Sequence, residues 1–158
     1  MTIWTHEQFD SMSWHDNHVH GLTLVEGEHG AGELLLDLDY IVEWLPGTDA
    51  GFRFRIVPAI LRFLQVTDLR IALDYAAATA ALAPFSLHSI ERRNEVRARY
   101  TAQVWTLRVN WPVGEIAFES TGYEQRSTAS EIVTELQRLR ANQRPTSGPL
   151  SAVSTTAE

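Results

Sequence analysis

Three of the chain's six histidines fall in one short run, Trp14-His15-Asp16-Asn17-His18-Val19-His20-Gly21, beside a carboxylate and where a strand pattern begins. Imidazole is the commonest metal ligand and the usual proton shuttle near neutral pH, so this run is where demanding chemistry could reside. Alternate residues of a strand point the same way, which lets His18 and His20 share one ion. If the next hairpin folds with Glu26 facing Glu33, His20 lies opposite Asp39 and His18 opposite Ile41. His18, His20 and Asp39, with Asp16 next in reach, would then surround a divalent metal. A slip of one residue would turn His20 onto a leucine face instead. The plainer reading is structural: His15 and Asp16 hydrogen-bond each other and cap a strand start, while His18 and His20 are partly exposed strand residues.

Other chemistry-bearing groups are sparser. Asp37 and Asp39 project from one strand face and could act as paired carboxylates, yet no pocket or partner base accompanies them and ordinary strand solvation is the better reading. The glycine loop Gly27 to Gly32 opens no helix, so it reads as a hairpin turn and not a phosphate cradle. Arg92, Arg93, Arg97 and Arg99 form a local basic run that could grip an acidic partner, or pair with Glu91 and Glu95 on a solvated face. The chain has no cysteine, which excludes thiol nucleophiles, disulfides and cysteine zinc sites. All 13 basic residues are arginine, so Schiff-base catalysis and lysine phosphate loops are absent. No G-x-S-x-G elbow occurs.

With a formal net charge of −7 over 158 residues, the surface repels nucleic acid and anionic membranes. No apolar run approaches the ~20 residues of a spanning helix. The N-terminus lacks a signal-peptide pattern, which points to a cytoplasmic protein. The length suits one domain.

Those reactive groups need a scaffold, and the pattern supplies mostly strands. Trp4 to Met12 reads as a short helix capped by Thr5 and Gln8, with Trp4 and Phe9 as anchors. His18 to Glu26 alternates loosely. Leu34, Leu36, Leu38, Tyr40, Val42 and Trp44 then fall on one side of a half-buried strand. Phe52, Phe54 and Ile56 alternate with arginines up to Pro58, which demands a bend or a sheet edge. The strand resumes through Leu61 and Phe63, and Val66-Thr67-Asp68 turns into Leu69 to Tyr75. Ala76 to Ala83 reads as a connecting turn of helix. Phe85 to Arg93, Arg99 to Trp111 and Glu115 to Gly122 are further strands, with reversals near Asn94-Glu95 and at Trp111-Pro112-Val113-Gly114. Ile132, Leu136 and Leu139 stand at helical spacing behind Thr128 and Glu131, predicting one C-terminal helix. The fold class expected is mainly β (α+β): an antiparallel sandwich or curled half-barrel of about seven strands with a short N-terminal helix and one C-terminal helix. Residues 1–142 form a single β-rich domain, and 143–158 a disordered C-terminal tail.

Asp16-Asn17-His18-Val19-His20 resembles the D-x-H-x-H strand end of metal-dependent amidohydrolases. Those are barrels of ~250 residues whose other ligands come from later strands, and the only histidine here after His29 is His88. The match therefore does not carry that fold. Trp14-His15-Asp16-Asn17, and Leu61-Arg62-Phe63 leading into Val66-Thr67-Asp68-Leu69, resemble the "HDA" and "F-x-x-V-x-D-L" steps of small bacterial β-rich families of unknown function, some similar to polymorphic-toxin immunity proteins. Asn17 stands where those have alanine. That resemblance implies a compact, non-catalytic, cytoplasmic protein and carries no established ligand or catalytic residue to this sequence; no cofactor is expected, a divalent metal being the alternative. The first functional reading is accordingly a domain that binds another macromolecule, a protein partner, through its sheet face or C-terminal helix, with a homo-oligomer as one form. The second is a small metal-dependent hydrolase on His18, His20 and Asp39. The third is a curled sheet whose tryptophans line a small-ligand cavity.

Overall fold

A computed structural model describes residues 1–49, 51–77 and 81–145 of the protein. The period-two pattern becomes nine strands: β1 (Ile3–Thr5), β2 (His18–Val25), β3 (Gly32–Pro46), β4 (Phe52–Leu73), β5 (Phe85–Val96), β6 (Thr101–Trp111), β7 (Gly114–Glu119), β8 (Gly122–Ser127) and β9 (Ile132–Thr134). All pairings are antiparallel. The sheet runs β1-β8-β4-β3-β2-β5-β6-β7, with β9 added to β4, and β7 returns to pair with β4. A continuous ring of hydrogen-bonded neighbours therefore encloses the main core, in which Leu34, Leu36, Leu38, Leu61, Leu107 and Ile116 are fully buried. Trp14, Phe63, Trp105 and Tyr123 pack edge to face within it and fill the interior. The mainly β fold follows from the sequence. No helix among the described residues is long and apolar enough to cross a membrane.

The helical elements differ from expectation. At the N-terminus only His6–Ser11 coils, as a 3₁₀ turn whose start is fixed by the Thr5 N–H donating to Gln8 Oε1 at 2.9 Å. Trp4 and Phe9 anchor it as predicted, against Tyr40 and Trp105. The C-terminal helix is not formed. Ile132-Val133-Thr134 is β-branched throughout and pairs instead with the open edge of β4 at Phe54–Ile56. Of the three residues at helical spacing, Leu139 is buried, Ile132 is half-buried and Leu136 is 46% exposed, so no helical stripe is used.

β4 is one strand of 22 residues, not two strands separated by a turn. Pro58 sits inside it without breaking a ladder. Its carbonyl accepts the Thr128 N–H at 2.8 Å, and N and O of one strand residue face the same neighbour, so its missing N–H falls in the gap between β9 and β8. Gln65 and Asp68 take left-handed φ values of 49° and 53° and bend the strand where its neighbour changes from β8 to β7. Val66-Thr67-Asp68 is thus a bend within a strand. The β5–β6 reversal lies at Arg97–Tyr100, later than Asn94-Glu95, and β8 is a further strand that the sequence pattern, whose last strand ended at Gly122, did not mark. Part of the alanine-rich connection, residues 78–80, lies outside the described residues, as does most of the expected tail, 146–158. Gln143 and Arg144 belong to the folded body.

Candidate functional site

The β2–β3 hairpin decides how the histidine run is used. Its loop draws in so closely that a Cβ on Gly27 would stand 2.2 Å from the Ala31 carbonyl oxygen, and one on Gly32 2.4 Å from that of Val25. This places Val25, not Glu26, opposite Glu33. A bulge between Val19 and Gly21 then shifts the ladder again, so Asp39 faces His18 across the strands, and Ile41 does not. The bulged residue is His20, and its Nε2 meets Asp39 Oδ2 at 2.7 Å. Sequence reasoning brought His20 and Asp39 together through the wrong register.

Each residue of the run has a separate task. Trp14, 3% exposed, donates its indole N–H to the buried Gln125 side chain at 2.9 Å. Asp16 adopts φ 61°, which a short polar side chain tolerates, and its carboxylate accepts from the side chains of Asn110 and Gln137 at 3.0 Å each. His15 Nε2 lies 3.4 Å from the same carboxylate, the pairing foreseen from sequence. Asn17 is fully buried, and its Oδ1 accepts the Ile41 N–H at 3.3 Å. His18 lies under the C-terminal segment, where burial, and then the charge of Arg138, hold its imidazole below the ordinary value of 6.5. Asp39 pulls the other way with smaller effect.

Asp39 is the centre of this region. Its carboxylate is completely buried and is met by His20, by the Leu139 backbone N–H at 2.8 Å and by the Arg144 guanidinium, which also grips Asp37. A carboxylate taken from water costs several kcal/mol unless it is paired and hydrogen-bonded, and here it is both. The paired carboxylates Asp37 and Asp39 therefore serve one arginine of the C-terminal segment, residues 135–145, a run of bends with a 3₁₀ turn at Ala141–Gln143 that lies across the sheet as a strap. Both Asp39 oxygens are engaged, and Asp16 belongs to a separate hydrogen-bonded group. Among the described residues no three His, Cys, Asp or Glu side chains converge in a geometry that could hold a metal ion.

The strap covers a second apolar cluster, on the outer face of β3 and β4, where Ile41, Phe54 and Ile56 receive Leu139. The face continues beyond it. A bulge between Ile41 and Glu43 breaks the alternation that would have put Trp44 inside with Tyr40. Trp44 lies instead on Phe54 at 5.0 Å and Phe52 at 5.5 Å, and is 42% exposed, with Phe52 57% exposed. His15 stacks on Trp44 at 6.5 Å, and His88 stands edge-on to His15 at 5.4 Å. This aromatic rim was not legible in the sequence because only the bulge creates it.

No protein-family model matches the chain, and no curated protein matches it either.

The basic run is neutralised in part, since Arg99 makes no ion pair among the described residues. Arg97 reaches Glu119 and Glu95, Arg93 reaches Glu95, and Arg92 lies over the Phe9 ring at 4.7 Å. Glu91 pairs with Arg108 and not with the run.

Proposed function

We propose that the protein is non-enzymatic and acts by binding another protein through the aromatic rim of its outer sheet face. The observation that carries this reading is the exposure of Trp44 and Phe52 side by side on a rigid base, with Phe54 packed behind them and His15 stacked alongside. Exposed aromatics held in place by a packed layer lose little freedom on docking, and tryptophan dominates the energetics of many interfaces. An immunity-like role in a bacterial cytoplasm, suggested by the Trp14-His15-Asp16-Asn17 resemblance, has the same requirement for a stable, non-catalytic scaffold with one docking surface. A metal-dependent hydrolase built on His18, His20 and Asp39 would first have to strip Arg144 and the Leu139 N–H from Asp39.

A photo-crosslinking residue placed at Phe52, in the cell that makes the protein, tests the reading. One dominant protein adduct is expected, and it should disappear when Trp44→Ser is combined with the probe. The same adduct from a probe at Leu24, on a different strand, or adducts insensitive to Trp44→Ser, would contradict a docking role for the rim.

A further inference from the structure

On the other side of the strap, the chain encloses a groove of about 1030 Å³ bordered by His20, Asp37, Arg138, Arg140, Asn142 and Arg144. Its charges do not cancel. Asp37 and Asp39 are both engaged by Arg144, and Asp39 also by His20. Arg138 and Arg140 make no ion pair among the described residues, and neither do Arg53, Arg70 and Arg99, but only Arg138 and Arg140 of these five border this groove. Set against Asp37 and Asp39, the guanidinium groups of Arg138, Arg140 and Arg144 leave one positive charge in excess at this concave place, on a chain of net charge −7.

The backbone that carries them is fixed. Leu139, between them, is 2% exposed in the outer-face cluster and donates its N–H to buried Asp39. The Arg140 N–H donates to Gln143 Oε1 at 2.9 Å, which closes the following turn. Both arginines border the same groove, and pinning the residue between them lowers the ordering cost of binding. Guanidinium forks match the oxygens of a phosphate or carboxylate bidentately. The acidic remainder of the molecule repels an extended polyanion, so the fit is to a compact one.

We propose that this groove is a binding site for a small phosphate-bearing molecule, with the Arg138 and Arg140 guanidinium groups as its principal donors, the Asn142 amide beside them and His20 in its wall. The site is independent of the aromatic rim. It stands or falls separately from the protein-binding reading.

Inorganic phosphate is the probe. Thermal melts of the full chain in increasing phosphate, with ionic strength held constant by chloride, should show a saturable rise in melting temperature. The Arg138→Gln/Arg140→Gln protein should melt like the parent without phosphate, because both positions are exposed, and should bind phosphate about tenfold or more weakly. Phosphate should also move the imidazole resonances of His20 and leave those of His29, in the glycine loop, unmoved. If the double variant is unstable, Arg140→Gln alone should show the weakened binding. A rise no greater than chloride gives, an equal rise in the variants, or an unmoved His20 would overturn the proposal.

Discussion

His18 shows most clearly how this molecule treats its histidines. Its imidazole is held below the ordinary value of 6.5, first by burial and then by Arg138, so the folded state favours the neutral ring. Between that lowered value and 6.5 the unfolded chain binds more protons than the folded one, so stability falls as pH drops below about 6.5 and the loss ends once the folded ring itself titrates. Urea unfolding from pH 7.5 to 5 should therefore show a shallower pH slope in His18→Gln than in the parent, and equal slopes would refute the assignment. Asn17 belongs to the same scale. Its Oδ1 takes the Ile41 N–H inside the core, so Asn17→Ala strands a buried donor and should cost about 1 to 2 kcal/mol in the same measurement. No pattern in the sequence announced that bond, because it depends on a contact across 24 positions. What could be read were local pairs such as His15 with Asp16, and the residue types that Asp39 would attract.

Among the elements, strands were legible and their irregularities were not. Alternation located β3, β6 and most of β4, because a half-buried strand exposes every second residue. Bulges at His20 and between Ile41 and Glu43 leave no such trace, yet they choose which histidine meets Asp39 and which side Trp44 takes. The C-terminal segment failed for a different reason: Ile132, Leu136 and Leu139 fit a helix locally, and the free edge of β4 outcompeted it. The two geometries are separable by mutation. A helix packed by that stripe would lose comparable stability at Leu136 and Leu139. The strap should lose about 2 to 4 kcal/mol in Leu139→Ala, and no more than about 0.5 kcal/mol in Leu136→Ala, by the midpoint of urea unfolding. Similar losses at both positions would restore the helix.

Seen as a whole, the molecule is a ring of paired strands around an aromatic core, with a strap tied across its outside by one buried carboxylate. The histidine-rich run is then an anchoring rail: Asp16 holds Gln137, His18 lies beneath the strap, and His20 steadies the Asp39 that receives Leu139 and Arg144. The strap in turn leaves the rim of Trp44 and Phe52 uncovered on one side and completes the arginine-bordered groove on the other, so the proposed groove, unlike the rim, depends on that tie. Amide hydrogen exchange over the full chain, comparing the parent with Asp39→Asn, addresses the tie directly. Removing the charge should release Arg144 and speed exchange at Leu139 and through residues 135–145 by at least about a hundredfold, while β3, β6 and β7 keep their protection. Unchanged protection at Leu139, or acceleration spread evenly over the whole chain, would contradict the view that Asp39 and its histidines exist to hold the strap.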